Sequence, residues 1–295
     1  MSNYTDSHFE EYGENTSWFK AMRLIPEKSK VLDVGCSSGN FGAELIARKS
    51  CTVDGLELDI GDVKLAERQL RKVYNLNIET DDISVIKDRY DVIYMGDVVE
   101  HLFHPIETLT RCKSLLKKDG VVVFSIPNMA HVSIRLLLLK GDFSYTETGL
   151  LDKTHVHFFN LDEIKRVFKE AGYDISHLDY VEKDYPKRLI EEWCDEIGIQ
   201  VKKKFIDRTK QIDAAAFQFI GVASKGKKVS KKLPKFGPVD FFESFHNNTI
   251  NALNERISIL EKDSARLASD AAKWRKLRGA PVVAVARKLI KKVKR

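Results

Sequence analysis

The sequence predicts an α/β fold, in which helices cover both faces of a central sheet, followed by a separate helical segment. The first observation is the segment 31–49, where an apolar run that contains Asp33 leads into a loop of small residues and then an amphipathic run. The second is that short apolar runs bounded by turn residues return several times before residue 224, as strands that alternate with helices do. The third is that apolar residues in 249–278 recur at alternating spacings of three and four, which is the pattern of a coiled-coil helix.

Length and composition are those of a globular domain of about 200 residues with appendages. The chain has 295 residues, of which 43% are hydrophobic and 31% are charged. The four cysteines show no paired spacing and form no zinc-type set with the eight histidines, so we expect reduced thiols in a cytoplasmic protein. The first residues lack the basic and apolar regions of a signal peptide, and no apolar run approaches the roughly 18 residues of a membrane span.

The loop in 31–39, with the sequence VLDVGCSSG, is the most informative motif of the chain. A strand, a tight loop and a helix in this order bring backbone N–H groups and a helix N-terminus towards a polar ligand. Gly35 and Gly39 provide the backbone freedom and the missing Cβ atom that a close approach requires. A dinucleotide-binding loop would read G-x-G-x-x-G, and the observed G-C-S-S-G does not fit that pattern.

This loop resembles motif I of the class I methyltransferases that use S-adenosyl-L-methionine (SAM), usually written hhDhGCGxG. Ser37 stands where the middle glycine is usual. The alternative is an ordinary strand–loop–helix turn made of small residues. The resemblance implies a Rossmann-like sheet of seven strands, SAM as the cofactor, and cofactor contacts from Asp33, Gly35, Cys36, Ser37 and Gly39.

Two acidic segments follow in the order that this resemblance implies. The run 51–57 is a short apolar strand that ends in Glu57, whose two carboxylate oxygens suit the two ribose hydroxyls of the cofactor. Asp59 is the alternative for that role. In the run Glu79-Thr-Asp-Asp we expect Asp81 near the adenine, with Asp82 as its competitor, although either residue also fits a solvated loop.

A third motif lies in 90–102, where a buried apolar strand opens into a polar loop. It resembles the subgroup that includes the ubiquinone-biosynthesis O-methyltransferases, in which the run ends in D-V-L-E-H-L. The resemblance implies cofactor contacts from Gly96, Asp97 and Glu100, with Glu100 near the methionine part of SAM. A fifth strand is predicted over 121–126, and it ends at Pro127 because proline donates no ladder hydrogen bond.

The segment 127–159 carries the residues that we expect to choose the acceptor. Its patterns P-N-x-x-H and G-L-L-D-x-T-H resemble a subgroup linked to bacterial cell-surface sugars and glycan assembly, and His157 stands where arginine is usual. Methyl transfer to a hydroxyl needs a base or a metal to take the proton. The candidate bases are His155, His131 and His101, and each also fits a structural role. Asp152 is placed to fix the ring tautomer of His155. We predict no metal, because no ligand set with metal spacing occurs.

The remaining sequence predicts the end of the catalytic domain and three further segments. Residues 186–213 are predicted to form a helical insertion, and 214–224 the last strand of a domain that spans 1–224. The segment 225–248 is a basic linker without an apolar face. The apolar seam of 249–278 is narrow, so we expect it to pair with a second copy of the chain or to pack on the catalytic domain.

The terminal segment 279–295 is predicted to be a short basic amphipathic helix. It lies in the part of the chain, 225–295, that carries 19 Lys and Arg against 6 Asp and Glu, whereas residues 1–224 carry 30 against 37. Apolar burial together with Coulomb attraction suits an anionic membrane surface. The alternative is a solvated tail. Nucleic acid is disfavoured, because 281–295 has no aromatic residue to stack on a base and the catalytic domain is acidic.

Together these patterns predict a SAM-dependent O-methyltransferase that acts on a sugar or lipid-linked glycan at the cytoplasmic face of the membrane. One alternative is an enzyme for a quinone-like or other soluble small molecule. Another is a non-catalytic coiled-coil scaffold with a vestigial domain. The retained acids Asp33 and Glu57 argue against the scaffold.

Overall fold

The computed structural model describes residues 14–183 and 185–226. The predicted coiled coil over 249–278, the predicted tail over 279–295 and all of the linker beyond residue 226 lie outside the described residues. Among the helices that the structure describes, none has the length and apolar character to cross a membrane.

Seven strands form one sheet in the order β3-β2-β1-β4-β5-β7-β6. All neighbours pair in parallel except β7, which runs antiparallel between β5 and β6. This confirms the predicted Rossmann-like sheet of seven strands. The strands are β1 Lys30–Val34, β2 Thr52–Glu57, β3 Lys72–Asn75, β4 Tyr90–Gly96, β5 Leu116–Pro127, β6 Asp174–Glu182 and β7 Ala216–Ser224.

Helices join these strands, and most crossovers contain one or two of them. The described α-helices are α1 Ser17–Leu24, α2 Asn40–Lys49, α3 Ile60–Ala66, α4 Pro105–Cys112, α5 Val132–Leu139, α6 Leu161–Glu170, α7 Lys187–Asp195, α8 Lys203–Thr209 and α9 Ile212–Ala215. Helices α7 to α9 occupy the predicted insertion before the last strand. Short 3-10 turns lie at Ile83–Val85, Val99–His101 and Lys113–Leu115.

Burial on both sheet faces explains why the central strands read as continuous apolar runs. The side chains of β1 point alternately to the two faces, so Leu32 joins one core cluster and Val31 joins the other. Phe124 and Ile93 lie in the first cluster, and Val92 lies in the second. Each layer of helices therefore covers an apolar face of the same sheet.

The strand order places a crevice at the carboxyl ends of β1 and β4. From β1 the chain moves outward to β2 and β3, whereas from β4 it moves outward to β5 on the other side. The loops that leave β1 and β4 therefore diverge, and they leave room between them. Ligands of open α/β sheets bind at such a point.

Candidate active site

The loop after β1 turns through three left-handed residues, which are all glycine or serine. Gly35 has φ +68°, Ser37 has φ +48° and Gly39 has φ +88°. A Cβ atom at Gly35 would lie 2.9 Å from Val98 Cγ2, so only glycine leaves space between this loop and the loop after β4. The position of Ser37 is the one at which the family pattern usually has glycine. Its positive φ explains that preference, because a side chain in this backbone conformation is strained.

The N–H groups of this loop are largely used inside the protein. Gly35 and Cys36 both donate to the carbonyl oxygen of Leu56, at 2.8 and 3.2 Å, and Gly39 donates to Cys36. The expected cradle of free N–H groups is therefore replaced at these positions by bonds that fix the loop to β2. A ligand can therefore approach the backbone of this loop closely, because glycine leaves no side chain in the way.

Glu57 anchors the same loop. Its Oε2 atom accepts from the N–H of Ser37 at 2.8 Å, and its Oε1 atom accepts from the N–H groups of Leu58 and Asp59 at 2.7 and 3.0 Å. A carboxylate offers about four acceptor positions, so one remains for a ligand hydroxyl. Asp59, the alternative, instead caps α3 by accepting from Gly61 and Asp62.

Asp81 and Asp82 are exposed and have local partners. Asp81 accepts from the N–H of Asn77 at 2.8 Å. Asp82 accepts from the N–H and the hydroxyl of Ser84 at 2.9 and 2.8 Å, and so caps the following 3-10 turn. Neither lines the cavity described next, and their assignment to the adenine remains a prediction.

A cavity of about 390 Å³ opens between the loops after β1 and β4. The buried carboxylate of Asp33 lies at its base, where Oδ2 has no hydrogen-bond partner among the described residues. Burial, together with the nearby charge of Glu57, raises the pKa of Asp33 from 3.8 to about 8. The lining consists of Trp18, Asp33, Gly35, Cys36, Ser37, Phe41, Tyr94, Gly96, Asp97, Glu100, His101, Pro127, Thr148, Gly149, Leu150, Asp152, His155, Phe217 and Gln218.

Asp97 enters the cavity from the end of β4. Its φ of +55° is rare for a residue other than glycine and turns the chain sharply after Gly96. Its carboxylate accepts from the amide of Gln218 on β7 and from the hydroxyl of Ser125 on β5, the latter at 3.4 Å. Burial raises the pKa of Asp97 to about 7.

Glu100 and His101 follow in the 3-10 turn, and His155 meets them from a later loop. The loop is held by Glu100, whose carbonyl oxygen accepts from the N–H groups of Val156 and His157 at 3.0 and 3.1 Å. The rings of His101 and His155 contact each other edge to face, with 4.9 Å between their centroids. The pKa of His155 is lowered by burial and then by His101, so its ring favours the neutral form.

Both carboxylate oxygens of Glu100 are buried and lack a partner among the described residues. Burial, and then the charge of Asp97, raises the pKa of Glu100 well above its ordinary value. One ligand atom from each of Glu100, His101 and His155 can be chosen so that all three lie within 4.8 Å of one another. Sequence reasoning missed this group because 54 residues separate its two histidines.

His131 has a different environment. It is fully buried, its Nδ1 atom lies 2.7 Å from the hydroxyl of Ser133, and its Nε2 atom lies 3.1 Å from the carbonyl of Lys183. It also caps α5 by accepting from the N–H of Ser133. With both ring nitrogens occupied and no place in the cavity lining, His131 has the geometry of a structural residue.

Two further residues of the later loop take local partners. Asp152 lines the cavity, but its Oδ1 atom accepts from the N–H and the hydroxyl of Thr154, at 2.8 and 2.6 Å. The structure shows these bonds from Thr154, which shape the loop, in place of the expected hydrogen bond donated by the His155 ring to Asp152. The Nε2 atom of His157 lies 3.3 Å from the carbonyl of Phe103, outside the cavity lining.

Comparison with known proteins gives one family. A model of the methyltransferase domain matches residues 9–178. The ubiquinone biosynthesis O-methyltransferase of Dinoroseobacter shibae is 28% identical over 174 residues, which cover 56% of this chain and 66% of that protein. The protein of the same name from Actinobacillus pleuropneumoniae is 28% identical over 124 residues, with 39% and 52% covered. The chain thus spans less than two thirds of the length of either relative.

Among solved structures, a SAM-dependent methyltransferase from Thermotoga maritima superposes with a TM-score of 0.51 at 13% sequence identity. The superposition covers 75% of this chain and 93% of the other. At this identity the similarity concerns the fold alone.

Proposed function

The chain belongs to the methyltransferase-domain family, and we propose that it is an O-methyltransferase acting on a hydroxyl of a sugar or lipid-linked glycan. SAM is the cofactor of the class I fold. The acceptor, the O-methyl product and the cellular site are our proposals. The observation that carries them is the polar group of side chains at one end of the cavity.

The residues around the loop after β1 fit SAM. When bound, SAM supplies a methyl group on a sulfonium centre, and it also carries an ammonium group and a ribose with two hydroxyls. The unpartnered Oδ2 atom of Asp33 suits a cationic group, because a buried carboxylate without a partner is costly. Glu57 keeps one acceptor position for a hydroxyl. The missing Cβ of Gly35 keeps open the narrow space next to Val98.

The other end of the cavity offers several hydrogen-bonding groups to an acceptor. They come from the loop after β4, from the segment between α5 and α6, and from β7, so they surround one volume instead of forming a single stripe. A sugar presents many hydroxyls and requires such partners, whereas a flat apolar ring requires few. These groups belong to Asp97, His101, Thr148, Asp152, His155 and Gln218.

Three exposed aromatic side chains, close in sequence to a segment of the cavity lining, support an acceptor with an apolar portion. The ring centroid of Phe143 lies 5.5 Å from that of Tyr145 and 6.0 Å from that of Phe158, and all three side chains are exposed. They flank the segment 148–150 that lines the cavity. A lipid carrier fits this arrangement. The aromatic group also favours the second candidate, a quinone-like acceptor, and so do the named relatives.

Proton removal from the acceptor hydroxyl is assigned to the group formed by Glu100, His101 and His155. The protein otherwise aligns the oxygen with the methyl group and excludes water, because methyl transfer is an in-line displacement. His155→Ala should reduce the turnover at least about 100-fold and leave SAM binding within a factor of two. His157→Ala is the matched control, because His157 lies on the same loop with its ring outside the cavity lining. Retained turnover in His155→Ala would reject the assignment.

The acceptor class is tested by radiolabelled methyl transfer from SAM to a panel of compounds. Lipid-linked oligosaccharides and nucleotide sugars stand for the first candidate, and catechols with and without an apolar chain stand for the second. Product on sugars alone supports the glycan proposal. Product on catechols alone would replace it with the quinone-like acceptor.

We also propose that 249–278 pairs with a second copy of the chain and that 279–295 binds an anionic membrane surface on its cytoplasmic side. The sequence patterns support both. Light scattering should give an oligomer for the full chain and a monomer for a chain truncated at residue 240, and two monomers would reject the pairing. Flotation with anionic vesicles should depend on residues 280–295, and equal flotation of both chains would reject the membrane proposal.

A further inference from the structure

The group formed by Glu100, His101 and His155 has the composition of a metal centre. One oxygen and two nitrogen atoms from these side chains lie within 4.8 Å of one another. Ligand atoms at about 2.0–2.2 Å from one ion are separated by about 3–4 Å. The 4.8 Å limit is slightly longer than that range, and all three residues line the same cavity.

A second observation points independently to a cation. Glu100 is 1% exposed, and neither carboxylate oxygen has a partner among the described residues. The buried carboxylate of Asp54 shows the contrast, because it accepts hydrogen bonds from the guanidinium of Arg71 and the hydroxyl of Tyr90. Since an uncompensated buried carboxylate is costly, the position of Glu100 calls for a positive charge at its oxygens.

The histidines are oriented as ligands usually are. The Nδ1 atom of His101 lies 3.1 Å from the carbonyl oxygen of Thr154. A carbonyl oxygen only accepts, so Nδ1 carries the proton and the lone pair of the neutral ring is on Nε2. The carbonyl of Leu150 accepts a hydrogen bond from His155 in the same way. Metal-binding histidines typically donate their other ring N–H to such a group.

We propose that Glu100, His101 and His155 bind one divalent transition-metal ion at the acceptor end of the cavity. Two imidazole nitrogens and one carboxylate oxygen suit Zn²⁺, Mn²⁺, Co²⁺ or Fe²⁺, whereas Mg²⁺ and Ca²⁺ prefer oxygen ligands alone. Three protein ligands leave at least one position for an oxygen of the acceptor, as in catalytic metal sites.

The role of this ion rests on the proposed function. An ion at this place would bind the acceptor oxygen and lower the pKa of its hydroxyl. The O–H bond then breaks with its proton passing to a cavity water, and the oxygen forms the new O–CH₃ bond as the S–CH₃ bond breaks. In this arrangement His155 would not take the proton itself. Its lone pair would bind the ion, and the ion would make the acceptor hydroxyl more acidic.

The test uses the full chain after chelation and dialysis, with Co²⁺ and Mn²⁺ as probes. Calorimetry should show one ion per chain, and Co²⁺ should give visible absorption typical of nitrogen and oxygen ligands. Glu100→Gln and His155→Ala should each weaken binding on the order of 100-fold. His157→Ala, the matched control, should bind as the unaltered chain does.

The outcomes separate this proposal from the proposed function. No bound ion at millimolar Co²⁺, or unchanged binding in both variants, overturns the metal site. Methyl transfer that persists after chelation with no ion bound overturns its role and leaves the O-methyltransferase proposal standing. Ion binding that both variants lose, without methyl transfer to any sugar or catechol, supports the metal site and contradicts the proposed function.

Discussion

Replacing Asp33 with asparagine should stabilise the protein without SAM and weaken the binding of SAM. The side chain of Asp33 is 2% exposed, and its Oδ2 atom has no partner among the described residues. Burial, with the charge of Glu57, raises its pKa from 3.8 to about 8. Asparagine has nearly the same shape and no charge, so it removes the cost of a buried carboxylate.

The sign of the pH dependence follows from the raised pKa. The folded protein binds the Asp33 proton more tightly than the unfolded chain does, so this proton stabilises fully below about pH 4, and the stabilisation is lost as the pH rises to about 8. The difference in pKa sets a ceiling of about 6 kcal/mol. Because the cavity admits water, we expect about 2 kcal/mol at pH 8, the usual cost of an unsatisfied buried group.

Thermal unfolding followed by circular dichroism measures this effect. Asp33→Asn should raise the melting temperature by about 4–8 °C at pH 8 and by close to zero near pH 4. The matched control is Asp54→Asn on the neighbouring strand, where the carboxylate accepts from Arg71 Nε at 2.8 Å and from the Tyr90 hydroxyl at 2.7 Å. That variant should lose about 2 kcal/mol, because it weakens hydrogen bonds to a buried carboxylate from the half-exposed Arg71 and from Tyr90. A difference in melting temperature between Asp33→Asn and the unaltered chain that stays the same from pH 4 to pH 8 would refute the reasoning.

The same substitution should lower SAM affinity by about 10- to 100-fold, the worth of one hydrogen bond to a charged group. Ligand binding stabilises the folded state by mass action, and a 10- to 100-fold difference in affinity is worth about 1.4–2.7 kcal/mol. Saturating SAM should therefore cancel most or all of the higher melting temperature of the variant at pH 8. Calorimetry measures the affinity directly. Unchanged affinity would show that Asp33 does not contact the cofactor.

Three further substitutions test the loop and the structural histidine. Ser37→Gly should raise stability by about 0.5–1 kcal/mol in thermal unfolding, because it relieves the left-handed backbone, whereas Ser37→Ala should not. Gly35→Ala should abolish measurable SAM binding in calorimetry, because its Cβ would lie 2.9 Å from Val98. His131→Ala should cost about 2 kcal/mol in unfolding and keep its SAM affinity; lost affinity in a folded variant would contradict the structural role.

The sheet was predictable because its strands bury both faces and therefore read as uninterrupted apolar runs. The runs that became β1, β2, β4 and β5 were each identified, and the helix after β1 was predicted over 41–49 and observed over Asn40–Lys49. The fifth strand is longer than predicted, since β5 begins at Leu116, which pairs with Tyr90, and the register shifts across residues 117–120 before Val121 pairs with Val92. Turn residues predict a break in a strand, but a bulge can include them without ending the strand.

The site was only partly predictable, because hydrogen-bond partners and distant contacts leave no mark in local sequence. His131 and His155 both follow patterns of the same subgroup, yet one has both nitrogens occupied and the other faces the cavity. Asp152 precedes His155 by one helical turn in sequence, but Thr154 takes its carboxylate. Which donor a side chain bonds depends on the geometry of the loop, and the spacing of residues in the sequence does not determine that geometry.

The position of His157 bears on the choice of acceptor. The subgroup that this chain resembles usually has arginine there, and a substrate contact by that arginine would have suggested a different acceptor. In this structure the Nε2 atom of the His157 ring lies 3.3 Å from the carbonyl oxygen of Phe103. The backbone N–H groups of Val156 and His157 both donate to the carbonyl oxygen of Glu100. The backbone N–H of His157, which an alanine would keep, thus helps to hold the loop that carries His155, and its ring lies outside the cavity lining. The histidine therefore gives no reason to move the acceptor away from a sugar, and the choice depends on the polar groups inside the cavity.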